Sequence, residues 1–204
     1  MRRASVPLAA LAFGVLALGA CAMDGSPPAV SLPPAPIPTA SAPELLAQRL
    51  PAQAASFQKG ATVPLRQPHP GVEVAYATSG RTAAGFVQVL RPPGDAAALP
   101  DGIQSAAVQG EYQRSIGEAA RGAGPHRRLT VIREVNHPED NPLFRCAELE
   151  GTYGRQPVQS MICVGAAGGQ LLRVRASMPR RDPPLADPRA FLRDIVAALR
   201  VVSP

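Results

Sequence analysis

The hydrophobic pattern of this chain is sharpest near its C-terminal end, where Leu192, Ile195, Val196 and Leu199 recur at i, i+3, i+4 and i+7. That spacing lines one face of an α-helix and leaves Arg189, Arg193 and Asp194 for water. Asp187 supplies an N-cap, and Pro188 takes the first helical position, where its missing N–H costs no hydrogen bond. Upstream, the period falls to two. Val72, Val74 and Tyr76 alternate with Glu73 and Ala75, which predicts a strand; after the turn-rich Ser79-Gly80-Arg81, Gly85 to Arg91 predicts a second. From Asp101 to about Arg121 the period lengthens again, and Val108, Tyr112, Ile116 and Ala120 form the stripe of a helix that Gly110 and Gly117 weaken. Arg128 to Asn136 then reads as a strand with Leu129, Val131 and Val135 on one face, and Gln170 to Ser177 as another. Glu44 to Leu50 makes a short helix before Pro51.

Between those last strands lies "CAELEGTYGRQPVQSMIC", Cys146 to Cys163. A two-residue hairpin loop with Gly at its first central position is the type II′ signature, which puts Gly154 and Arg155 at the tip. Opposed residues then have numbers that sum to 309, and Cys146 and Cys163 meet that condition. Counting outward, Thr152 opposite Pro157 falls at a non-hydrogen-bonded site, where proline lacks nothing, and the cysteines fall at another. Cα atoms at such a site are about 4.5 Å apart, within reach of a disulfide. No C-x-x-C is present, and His69, His126 and His137 show no zinc-ligand spacing. The pair predicts a staple.

The order that results, ββαββββα, predicts an α+β domain: a mainly antiparallel sheet with helices packed on one face. Over about Val72 to Val202 this order resembles the PsbP-like fold of photosystem extrinsic proteins and small bacterial envelope lipoproteins. That resemblance implies a fold and carries no site.

The first forty residues have a different character. Arg2 and Arg3 precede an apolar stretch from Ala4 to Ala20, the layout of a secretory signal. The stretch ends in Leu18-Gly19-Ala20-Cys21, which resembles the lipobox of bacterial lipoproteins: a branched apolar residue, two small ones, then cysteine. The resemblance implies cleavage before Cys21, lipid on its thiol and, because Ala22 replaces a retention-type Asp, an outer-membrane address facing the periplasm. Several acyl chains on one residue anchor stably where one does not. Ala20-Cys21-Ala22 also fits ordinary signal cleavage, which would release a chain without Cys21. An uncleaved anchor and a twin-arginine signal are further readings, although the apolar stretch barely spans a bilayer and Ser5-Val6 fits the second poorly. Ser26 to Pro43 follows with seven prolines in eighteen residues, which denies the backbone helix and sheet bonding and predicts an extended spacer. The expected organisation is a signal over 1–20, a periplasmic tether over 21–43 and one domain over 44–204.

Composition adds less. Net charge is +6, and the arginines are scattered without interleaved aromatics, which argues against nucleic acid as a partner and leaves the membrane, an envelope protein or an anionic cell-wall or lipid surface. The candidates for chemistry are few. His137-Pro138-Glu139-Asp140 gathers an imidazole and two carboxylates in one loop; Glu148 and Glu150 share a strand face; and "GAAGG", Gly165 to Gly169, lacks phosphate-loop spacing and reads as a turn. No catalytic set, metal site or cofactor is expected. The sequence thus predicts an accessory or interaction module, with an envelope enzyme of unknown substrate or a carrier of small apolar ligands as alternatives.

Overall fold

Two antiparallel meanders lie side by side in one sheet. The computed structural model describes residues 41–200 apart from 68, 95, 97 and 122–126. The first meander is α1 (Ala42–Gln48), β1 (Gln53–Ala54), β2 (Phe57–Leu65), β3 (Gly71–Thr78), a 3₁₀ turn at Ser79–Arg81, and β4 (Ala84–Leu90). Helix α2 (Ala106–Arg121) crosses to the second, β5 (Arg127–His137), β6 (Phe144–Tyr153), β7 (Gln156–Ala167) and β8 (Gln170–Pro179), and α3 (Pro188–Arg200) follows. Strand order is β1-β2-β3-β4-β8-β7-β6-β5, so β4 and β8 join the meanders at the centre. An α+β fold built on a mainly antiparallel sheet is what the alternating and helical periods predict.

The helices do not share a face. Strands send alternate side chains to opposite sides, and Ser160 to Ala167 of β7 is buried without interruption, so both sides need cover. On one side Phe191, Leu192, Ile195 and Val196 of α3 and Leu46 of α1 pack with Val74, Tyr76, Val87, Cys163 and Val174. On the other, Val108, Tyr112 and Ala119 of α2 pack with Leu129, Leu149, Ile162 and Val164. Helices on one face alone would leave the far side of β7 in water, which its unbroken run of buried residues excludes.

Other departures have local causes. β1 and β2 are additional strands: Phe57 to Leu65 contains Gly60 and Pro64 and is exposed over most of its length, so it carries no alternating signal. In β5 a register shift between Val131 and Arg133 inserts Ile132. Such a bulge reverses the alternation, so Leu129 and Val131 pack on the α2 side while Val135 packs on the α3 side. The buried stripe of α2 runs through Val108, Glu111, Tyr112, Ser115 and Ala119, and Ala120 is exposed. A strict four-residue repeat drifts off a face of 3.6-residue period. Of "GAAGG", only Gly168 and Gly169 form the turn, both at positive φ, while Gly165 to Ala167 belong to β7.

The C-terminal helix follows its pattern closely. Asp187 Oδ1 accepts from the backbone N–H of Arg189 at 2.8 Å and of Ala190 at 3.1 Å, which caps α3. Phe191 anchors the helix on the sheet, its ring 4.7 Å from Phe57 and 5.2 Å from Tyr76. At the start of the described residues, Ser41 N–H donates to Glu44 at 2.6 Å, and α1 runs two residues earlier than its sequence signal.

Candidate functional site

Helix α2 crosses the sheet over β5 and β7 and leaves a strip of β3, β4 and β8 open beside it. A groove of about 570 Å³ occupies that strip, within the range of about 300–1,000 Å³ typical of ligand clefts. Phe86, Ile162 and Ala119 give it apolar surface; Arg121, Arg173 and Arg175 bring cations, and Glu73 and Glu118 bring anions. The polar residues follow from strand alternation. Arg173, Arg175 and Ser177 of β8 point to the α2 side because Leu172, Val174 and Ala176 point to the α3 core.

A buried ion cluster holds one wall. Glu111 of α2 is only 2 % exposed, and a lone carboxylate there would be strongly disfavoured. Arg114, one helical turn on, meets one of its oxygens, and Arg173 Nη1 meets the other at 3.2 Å. Ser115 Oγ donates to the same oxygen at 3.2 Å. Arg173 also reaches Glu118 at 3.3 Å and donates through Nε to Gln88 at 2.7 Å, whose amide donates to Glu73 at 2.6 Å. A continuous chain therefore fixes Arg173 from α2 to β3. His69 abuts Arg114, and burial, then Arg114 and Arg173, lower its pKa, with Glu118 opposing. Burial and both arginines thus favour its neutral form.

Arg175 differs from Arg173. Its Nε donates to Ser177 Oγ at 3.2 Å, and Ser177 bonds Ser160 at 2.6 Å, which in turn donates to the Ala176 carbonyl at 2.9 Å. Among the described residues no carboxylate pairs with its Nη groups. A guanidinium pinned through Nε and open at both Nη atoms presents the planar fork that suits a carboxylate or phosphate.

No protein-family model matches the chain, and no curated protein matches it.

The residues singled out in the sequence sit elsewhere. Cys21, the proposed lipid attachment point, lies outside the described residues. Cys146 and Cys163 face each other as the hairpin register requires, with Cα atoms 4.0 Å apart and sulfurs at bonding distance, 2.11 Å. The register runs through Thr152–Pro157 to Tyr153–Gln156, and Gly154 has φ 60° while Arg155 stays outside the left-handed region, as a II′ tip needs. The pair is buried in the α3-side core, away from the groove.

His137 and Glu139 do line a common pocket, with Arg133, Arg189 and Leu192, but it measures about 80 Å³. Burial, then Arg193, Arg200 and Arg189, lower the pKa of His137, with Glu139 opposing. A neutral imidazole in so small a space has no room for a substrate beside it. Glu148 pairs with Arg189 and Glu150 with Arg180, the latter at 2.8 Å, so each carboxylate has its own cation and the two do not act together. Among the described residues no group of three or more His, Cys, Asp and Glu side chains could hold a metal ion, and no helix is long and apolar enough to cross a membrane.

Sequence reasoning missed the groove because its residues come from β3, β4, β7, β8 and α2. One signal was present: "LLRVRAS" alternates apolar and basic side chains, placing Arg173, Arg175 and Ser177 on one face of a strand whose other face is core. Charged residues that recur at that period toward a covered sheet face need partners.

Proposed function

We propose that this protein is a non-catalytic lipoprotein of the bacterial envelope, an accessory binding module that takes an anionic group in the groove beside α2. Cys21 carries the lipid, the proline-rich stretch spaces the domain from the membrane, and the outer membrane, on its periplasmic side, is the address. The observation that carries the binding role is Arg175: a half-buried guanidinium, fixed through Nε, whose Nη groups have no protein acceptor among the described residues. The lipobox-like Leu18-Gly19-Ala20-Cys21 supports the tether. A buried Cys146–Cys163 staple suits an oxidising compartment.

A catalytic reading would need a nucleophile, or an acid or base without a partner of its own, facing a substrate-sized space; in the groove Glu118 pairs with Arg173, Glu73 accepts from Gln88 and Ser115 donates to Glu111. The His137 pocket is several-fold too small for one. An apolar carrier would need an enclosed greasy cavity, whereas this groove has five charged residues in its lining.

Site-directed photo-cross-linking tests the binding role. Benzoylphenylalanine in place of Phe86, in cells expressing the protein at native level, is expected to give a mass-shifted adduct on irradiation, lost when Arg175→Met is added. An adduct of equal yield with Arg175→Met, or none at all, would remove the groove as the binding site. The tether is tested separately: Cys21→Ala is expected to leave the membrane fraction.

A further inference from the structure

The groove's own charges narrow what it can hold, given the binding role proposed for it. We infer that its ligand is a small organic anion with a single charged head, which docks on Arg175 and displaces Glu118 from Arg173, while an apolar body lies on Phe86, Ala119 and Ile162.

Three observations carry this. Glu118 lies 3.3 Å from Arg173 on the α2 side of the groove, yet its side chain is 51 % exposed. Arg173 is already neutralised by Glu111, which is 1 % exposed and shares Arg114. The Glu118 contact is thus a loose, solvent-screened pair of the kind that contributes little and is easily replaced, and it marks the spot where an anion reaches Arg173.

The second observation is the pair of carboxylates lining the groove. Glu118 lies on the helix side and Glu73, tied to Gln88, on the sheet side. A polymer with a negative charge at every unit would meet one or the other as it ran through. A ligand with one anionic head does not, provided the rest of it is uncharged. The third is the apolar surface. Phe86 is only partly covered by protein, with Ile162 and Ala119 nearby, and a short alkyl or aryl body placed there gains by leaving water. A volume of about 570 Å³ suits a compound of this size.

The test uses the full mature chain in lipid nanodiscs and follows the δ1-methyl resonance of Ile162, assigned through Ile162→Val, so that only events in the groove are read. The probes are octanoate, octyl phosphate, octan-1-ol, inorganic phosphate and poly-glutamate. Octanoate or octyl phosphate is expected to shift the resonance saturably, and the stronger of the two tells carboxylate from phosphate. Arg175→Met is expected to weaken that binding by about tenfold or more, since it removes charge-assisted hydrogen bonds. Arg175→Lys, which keeps the charge and loses the fork, falls in between. Glu118→Gln is expected to tighten binding by about two- to fivefold, the strength of an exposed ion pair.

Octan-1-ol binding as well as octanoate would overturn the inference, as would inorganic phosphate doing so, because head and body are both required. Unchanged affinity in Glu118→Gln would overturn the displacement. If both octyl anions fail while poly-glutamate shifts Ile162 in an Arg175-dependent way, the small-anion inference falls and the groove's binding role stands. If no probe shows Arg175 dependence, both fall. Arg175→Met must melt within a few degrees of the parent; if it does not, Arg175→Lys and Glu118→Gln decide the outcome.

Discussion

Removing Arg173 leaves Glu111 in the core with one cation instead of two. Glu111 is 1 % exposed at its side chain and Arg173 23 %, with 3.2 Å between them. At an effective dielectric of about 20, a contact of that length has a Coulomb energy of about 5 kcal/mol before desolvation. Breaking a fully buried pair by deleting one partner costs about 3–5 kcal/mol. Here Arg114 still meets the carboxylate, and water reaches part of Arg173. Arg173→Met should therefore lower unfolding stability by about 2–3 kcal/mol, with methionine filling the aliphatic part of the space. Glu111→Gln should cost about 1–2 kcal/mol, because both arginines keep access to water. The double variant should be less destabilised than the sum, with a coupling of about 1–2 kcal/mol. Urea unfolding followed by circular dichroism, at constant m-value, gives each number. Additive effects with Arg173→Met costing under about 0.5 kcal/mol would refute the claim that Arg173 neutralises Glu111.

Other outcomes follow from the same structure. Reducing Cys146–Cys163, a pair 17 residues apart, should cost about 3 kcal/mol in urea unfolding, the loop-closure value; an unchanged midpoint would mean the staple does not constrain the unfolded chain. Phe191→Ala should cost about 3–5 kcal/mol, since the ring is fully buried between Phe57 and Tyr76. Burial and three arginines depress the folded-state pKa of His137 below its ordinary value of 6.5. The unfolded chain then takes up the proton first, so this contribution is lost as pH falls from about 6.5 towards the lower folded value. His137→Asn should flatten the pH dependence of unfolding in that window, and an unchanged slope would show that His137 is not held neutral. Glu134, whose pKa is lowered chiefly by its hydrogen bond from Arg145, acts at lower pH: its contribution is present above the ordinary carboxylate value and is lost as pH falls through the folded one. Glu134→Gln should reduce the acid sensitivity of the fold there.

The elements that read most clearly in the sequence are those with one apolar face and clean ends. Helix α3 has both, with Asp187 and Pro188 at its start, and β3 alternates over its whole length. The hairpin was legible to single-residue register because Gly154 fixes the tip and the period of two fixes all that follows. Edge strand β2 was not, since a strand that buries little has no pattern to show. The side of Val135 was hidden by Ile132, as a bulge changes parity without changing composition. Glu111 and Ser115 lie outside the apolar stripe that the sequence marks on α2, and Arg173 from β8 gives the buried carboxylate its partner. The groove depends on which strands become neighbours, and β4 beside β8 is a long-range pairing that periodicity does not encode.

Intact mass and peptide mapping of the protein taken from membranes of its native host test the central claim, a binding domain held at the envelope by lipid. The expected N-terminal peptide begins at Cys21 with a diacylglyceryl group on its sulfur and an acyl chain on its nitrogen. A mature chain that starts past Cys21, carries no lipid and is recovered from the soluble fraction would contradict it.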